Sequence, residues 1–173
     1  MPAGTRLEVT GRVRNGRAEV IVRGASRWVT AMYLTSRGAT GQGGAAYAVG
    51  GNLDTGGSSG LNSLTSTAKG IVGFARARYP QVRTIYGVRP DPLPDHPNGH
   101  AVDLMIPNYR SNRALGTQIA TDLQANAGRL GVKYIIWRQH IWSVSRANEG
   151  WRPMADRGGD TVNHHDHVHV TVH

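Results

Sequence analysis

Six of the chain's eight histidines fall in two short stretches. The first, His96-Pro97-Asn98-Gly99-His100-Ala101-Val102-Asp103, sets an imidazole and a carboxylate seven positions apart. The second, His164-His165-Asp166-His167-Val168-His169, ends in His-x-His. Imidazole nitrogen and carboxylate oxygen are the donors that a borderline ion such as Zn²⁺ prefers, and a catalytic zinc takes three protein ligands and leaves a fourth position open. Segments this far apart in sequence can build such a site only by meeting in space, so the elements that carry them decide the matter.

Both stretches run into strands. Residues 101–106 alternate, with Val102, Leu104 and Ile106 on one face and Asp103 on the other. Residues 167–172 alternate more cleanly: Val168, Val170 and Val172 face a core, while His167 and His169 share the opposite face, roughly 7 Å apart at two strand steps. One of them can ligate while the other stands beside the reacting water. Gly99 permits a tight turn between His96 and the strand carrying Asp103.

His96-x-x-Gly99-x-Ala101-x-Asp103 followed by His167-x-His169 resembles the signature of the zinc metallopeptidases grouped as lysostaphin-type, D-Ala-D-Ala carboxypeptidase and hedgehog-type domains. The similarity is nearest to the actinobacterial cell-wall branch, through Tyr86-Gly87-Val88-Arg89-Pro90, Asp95-His96-Pro97 and Asp156-Arg157-Gly158, and spans residues 61–172. The resemblance implies that His96, Asp103 and His169 hold Zn²⁺, with His167 as catalytic partner. It further implies a peptidoglycan hydrolase of the carboxypeptidase or endopeptidase kind, acting on stem peptides or cross-bridges outside the cell or in the wall.

Composition sets outer bounds. The 173 residues suffice for one sizeable core or a small domain beside a medium one. No apolar run approaches the ~20 residues that cross a bilayer, so membrane insertion is not expected. The absence of cysteine excludes disulfides, thiolate metal sites and thiol catalysis. The net charge of +9 is nearly all arginine, scattered along the chain instead of gathered in a stripe. That argues against specific nucleic-acid readout and for attraction to acidic wall polymers.

The expected fold class is α+β: a small antiparallel sheet flanked by two helices and carrying the zinc site, preceded by a short all-β segment. Residues 1–37 read as strands, with an Asn15-Gly16 hairpin turn and the pairs Trp28-Val29 and Tyr33-Leu34. This segment resembles the last part of an SH3-like wall-binding domain, as if the chain began inside one. No secretory leader is legible, so a trimmed secreted protein or a phage endolysin is expected. Residues 38–60, rich in glycine, read as a linker, and 61–173 as the catalytic domain. Within it, 64–79 reads as a helix with Thr65 as N-cap, 82–86 as a strand, 111–130 as a second helix closed by Gly131, 132–137 as the central strand and 141–144 as its hairpin partner. Residues 145–162 read as an irregular loop.

Two substrate contacts are expected. Arg89 offers a guanidinium fork for a carboxylate or an oxyanion, against the alternative of a salt bridge to Asp91 or Asp95. Trp151 offers a cleft wall, against the alternative of capping the core. The proton on the leaving amine lacks an obvious agent. Relatives in the resembled group carry a glutamate shortly before the last His-x-His, but position 163 is Asn and no glutamate follows Glu149. The candidates are Asp160, Asp166, His164 and His165. Asp166 would alternate onto the apolar side of the strand, which leaves Asp160 favoured. The missing glutamate keeps a second reading open, an inactive zinc-containing wall-binding module, and the basic charge a third, a His-metal nuclease.

Overall fold

A computed structural model of the chain describes residues 8–14, 17–30 and 51–173. The first two spans form an antiparallel meander of β1 (Glu8–Arg14), β2 (Arg17–Val22) and β3 (Ala25–Thr30). The β2–β3 turn places Arg23 and Gly24 at φ 52° and 76°, the positive pair a tight hairpin requires. Glu19 is buried on β2, where its carboxylate accepts hydrogen bonds from the hydroxyls of Ser26 and, at 2.8 Å, Thr10. The expected Asn15-Gly16 turn, Tyr33-Leu34 and residues 38–50 of the expected linker lie outside the described residues.

The rest is α+β. A six-stranded antiparallel sheet has the order β4 (Ile85–Tyr86), β5 (Ala101–Met105), β9 (His167–Val172), β6 (Val132–Trp137), β7 (His140–Ser143), β8 (Arg152–Pro153). The C-terminal strand β9 is therefore inserted between β5 and β6 and shares the centre with β6. Helices α1 (Ser66–Arg78) and α2 (Arg113–Ala125) cover one face. Ile71, Val72 and Phe74 of α1, Ile119 and Leu123 of α2, and the inward residues Val102, Leu104, Ile135, Val168 and Val170 form the core. Each such fully buried side chain contributes about 1.5–3 kcal/mol. Among the described residues no helix is long and apolar enough to cross a membrane.

The helix ends follow from local chemistry. Thr65 caps α1 by accepting from the Ala68 amide, and Pro80 follows the C-cap residue Tyr79. The helix expected over 111–130 is broken. Asn126 leaves helical geometry and its side chain donates to the Asp122 carbonyl at 2.7 Å, so a short α3 (Ala127–Leu130) follows, closed by Gly131 at φ 66°. The strand expected over 82–86 is confined to Ile85–Tyr86, because the Val82 amide is taken by the Tyr79 carbonyl in a turn.

Residues 51–60, where composition reads as linker, instead pack on the domain. Leu53 and Ser58 are buried, and Ser59 bridges in parallel to Tyr86. Gly60, at φ 71°, leaves no room for a side chain: a Cβ there would sit 2.2 Å from the Val88 carbonyl oxygen. The expected loop 145–162 is in part ordered into a 3₁₀ helix, Val144–Glu149, and β8.

Candidate metal centre

Strand alternation divides the sheet. With Val168, Val170 and Val172 facing the helices, His167, His169 and Thr171 emerge on the other face, beside Asp103 of β5 and Tyr134 and Ile136 of β6. Asp103 and His169 are direct cross-strand partners, and Asp103 Oδ1 lies 2.8 Å from His169 Nδ1. His96 arrives from outside the sheet on a proline-rich loop whose turn is closed by hydrogen bonds from Gly99 N to His96 O and from His100 N to Asp95 O. Gly99 adopts φ 73° with the Ser63 carbonyl 2.9 Å from where a Cβ would be.

Three side chains thus converge as the sequence led us to expect: His96, Asp103 and His169, all buried, can bring one ligand atom each to within 4.8 Å of the others. His96 Nδ1 lies 2.9 Å from the Gly87 carbonyl oxygen, while its buried Nε2, 3.4 Å from Asp103 Oδ2, has no hydrogen-bond partner among the described residues. With Nδ1–H donated to Gly87, the lone pair on Nε2 points into the site, the arrangement that outer hydrogen bonds impose on metal-binding histidines. His169 is set likewise. Its Nε2 is 3.0 Å from the Thr171 hydroxyl, which can accept a hydrogen bond from Nε2–H when Nδ1 serves as the ligand. Tyr134 stacks on the His169 ring at 5.7 Å and donates its hydroxyl to Asp95 at 2.6 Å. Burial, reinforced by that carboxylate, pushes the Tyr134 phenol up to about 12. These donors fit a borderline divalent cation.

Burial acts to raise the Asp103 pKa, but the imidazoles of His169 and His96 beside it and the charge of His169 and His167 outweigh it and hold it well below the usual carboxylate range. Asp103 is therefore an anion at any working pH. Arg89 meets it directly, with Nη1 2.7 Å from Asp103 Oδ2, and Asp91 lies 3.8 Å from the same guanidinium. Of the salt bridges expected as the alternative role of Arg89, the one to Asp91 is met only at 3.8 Å and Asp95 is bonded to Tyr134 instead, while the main partner is Asp103. Arg89 also lines the cleft.

His167 stands beside the three. Its Nδ1 is 2.6 Å from Asp166 Oδ1, and its Nε2 is 3.6 Å from Asp103 Oδ1. Asp166 precedes the strand instead of alternating into its apolar side. Its second oxygen accepts from the Thr161 hydroxyl at 2.7 Å, so the carboxylate is free to orient His167. Asp160 is turned elsewhere: it accepts from the Tyr109 hydroxyl at 2.6 Å and from Arg110 at 3.2 Å, with His165 at 3.5 Å. It does not line the cleft. Trp151 is also placed away from it, packed against the core with Nε1 donating to Gln124 at 2.8 Å.

The cluster holds one more imidazole that sequence reasoning named only as a proton carrier. His164 packs its ring 4.8 Å from His167 and 5.5 Å from His169. Burial, with the charges of His167 and His169, depresses its pKa to about 3. A periodicity argument could not place it, because it sits in a turn at φ 55°. The four histidines His96, His164, His167 and His169 line a cleft of about 660 Å³ together with Tyr134, Ile136, Ile141, Leu93, Met154 and Val162.

Fold and site together define an α+β domain with a histidine–carboxylate centre at the middle of its sheet. Residues 60–165 match the family described as VldE, C-terminal domain, and the chain belongs to that family. The matched span contains His96, Asp103 and His164 and stops short of His167 and His169. The chain is also similar to an uncharacterized secreted protein of Arthroderma benhamiae, 32% identical over 105 residues, covering 48% of this chain and 43% of that protein. It thus spans less than half the length of this relative. No solved structure matches it.

Proposed function

We propose that the chain is a zinc-dependent hydrolase of peptide bonds in the stem peptides or cross-bridges of peptidoglycan, working outside the cell or in the wall. One observation carries the reading: His96, Asp103 and His169 converge, buried, where His96 and His169 line an open cleft, and His96 Nε2 has no hydrogen-bond partner among the described residues, 3.4 Å from Asp103 Oδ2. Zn²⁺ held by these three would supply a Lewis acid for the scissile carbonyl and acidify a water molecule toward neutral pH. Two neutral ligands and one anion leave the ion electrophilic.

The remaining work belongs to the chain. His167, held through Nδ1 by Asp166, presents Nε2 to the site. It can take a proton from the attacking water and return it to the leaving amine, with Asp166 fixing the tautomer. This pair does what the resemblance assigns to a glutamate that this chain lacks. Arg89 and Arg157 line the cleft and suit a carboxylate on the substrate, while Leu93, Met154 and Val162 suit short aliphatic side chains. The +9 charge supports attraction to acidic wall polymers, and the three-stranded β1–β3 meander is compatible with a role in wall targeting. The similarity to a protein called secreted supports the location.

The test is release of free amines from purified peptidoglycan, paired with metal analysis. Zinc at one equivalent, amine release abolished by a chelator and by His96→Ala or Asp103→Ala, is expected. Release that survives chelation sinks the reading. The commitment of Asp160 to Tyr109 and Arg110 favours one alternative, a zinc-containing wall-binding module without turnover. Stoichiometric zinc with wall binding and no amine release would establish it.

A further inference from the structure

The histidine cluster contains a second set of convergent donors. His164, His167 and His169 can each bring a ring nitrogen to within 4.8 Å of the other two, as the first set does. His164 is what makes this set possible, and its placement is specific. It is a non-glycine residue at φ 55°, a region that side chains enter only when the surroundings hold them there. The surroundings do: its amide donates to the Thr161 carbonyl at 3.0 Å, and its carbonyl accepts from the Arg138 amide in the β6–β7 turn at 2.8 Å. With the backbone so pinned, the ring is delivered to the cleft, where it makes no hydrogen bond within the described residues and faces two other imidazoles.

The two sets differ in chemistry and availability. The first includes a carboxylate, and that carboxylate is engaged by Arg89 at 2.7 Å. The second is nitrogen only, and among the described residues no guanidinium is paired to it, though Arg157 shares the cleft and its charge reaches His164. We propose that His164, His167 and His169 form an alternative, all-imidazole cation site that selects nitrogen-preferring ions, Cu²⁺ or Ni²⁺, over the carboxylate-containing set. A neutral imidazole has one ligating nitrogen, so His169, common to both sets, serves one cation at a time. The sites are mutually exclusive: the cluster binds one ion, and the ion's preference decides which set holds it. Cu²⁺ stands above Zn²⁺ in affinity for nitrogen donors and tolerates a planar nitrogen array.

The inference goes beyond the hydrolase reading and does not depend on it, because its readout is spectroscopic. Cu²⁺ is titrated into the metal-stripped full chain and the nitrogen hyperfine structure is read by electron paramagnetic resonance. Three nitrogen donors are expected at one equivalent. Asp103→Asn should still show three nitrogen donors, while its Kd shifts with the loss of the carboxylate that sits 2.8 Å from His169 Nδ1. His164→Asn, which keeps a residue tolerant of positive φ, should remove one nitrogen and weaken binding at least tenfold. His169→Gln should abolish both Cu²⁺ and Zn²⁺ binding, with circular dichroism confirming the fold. A wild-type spectrum showing two nitrogens and an oxygen, or Cu²⁺ binding unchanged in His164→Asn and lost in Asp103→Asn, overturns the proposal. Loss of chelator-sensitive amine release with the copper results unchanged would instead overturn only the hydrolase reading.

Discussion

Arg89 would compete with a metal ion for the carboxylate of Asp103. Its Nη1 lies 2.7 Å from Asp103 Oδ2 and 2.8 Å from His96 Nδ1. Two tautomers of His96 follow. With Nδ1 accepting from Arg89, the proton sits on Nε2, 3.4 Å from Asp103, and the nitrogen cannot ligate. With Nδ1 donating to Gly87, Nε2 can ligate but Arg89 must withdraw. Replacing Arg89 by Gln removes both the guanidinium charge paired with Asp103 and the bias toward the tautomer that cannot ligate. A hydrogen bond between charged groups is worth about 1.5–3 kcal/mol. The guanidinium is 40% exposed, so solvent screens part of that. About 1–2 kcal/mol remains, which is roughly 5- to 30-fold in Kd. Arg89→Gln should therefore bind Zn²⁺ that much more tightly, measured by competition with a chromogenic chelator. The same variant should melt earlier without zinc, since a buried carboxylate has lost its partner, and recover when zinc is added. Unchanged or weaker zinc affinity would refute the competition and make Arg89 a fixed orienter of the carboxylate.

Three further outcomes are expected. Asp166→Asn removes the group that orients His167 and should lower kcat by about 10- to 100-fold while KM and zinc stoichiometry hold; an unchanged kcat would exclude the dyad from proton transfer. Tyr79 is raised by burial and then by its hydrogen bond to the Asp122 carboxylate, so its contribution to stability is complete below about pH 10 and is lost as pH climbs toward its folded-state value. Urea melts across that range should show the loss in the wild type and not in Tyr79→Phe. Gly116 of α2 faces the Trp137 ring so closely that a Cβ would sit 2.2 Å from it, and Gly116→Ala should cost about 1–3 kcal/mol in urea unfolding; a neutral result would mean that α2 can slide on the sheet.

How much of this was legible in the sequence depends on range. The capped helix α1, the valine alternation of β9 and the left-handed Gly131 rest on local rules, and they appear as expected. His96, Asp103 and His169 were legible because strand period 2 places residues on faces before any partner is known. Positions that depend on which strands are neighbours were not. Tyr134 enters the site only because β6 pairs with β9, with a register shift between Val132 and Tyr134 that no periodicity reveals. Asp166 was assigned to the apolar side on the assumption that β9 began before it. Trp151 and Asp160 were read from a loop whose ordering comes from long-range bonds to Gln124 and Tyr109. The break at Asn126 was missed because one amide side chain competing for a backbone carbonyl outweighs an apolar stripe that continues through it.

The position of the cluster bears on why it exists at all. A buried nitrogen without a partner costs about 1–3 kcal/mol, and His96 Nε2 is one, at the floor of the site. His164 adds a left-handed backbone at φ 55°. Apolar residues of similar shape would fill this face of the sheet at lower cost. The arrangement is therefore unfavourable as a purely structural device and becomes favourable when the lone pairs have something to bind. The features that cost the domain stability are the ones a divalent ion would satisfy, so zinc should raise the melting temperature in the wild type and leave it unmoved in His169→Gln, whose imidazole is common to both sets.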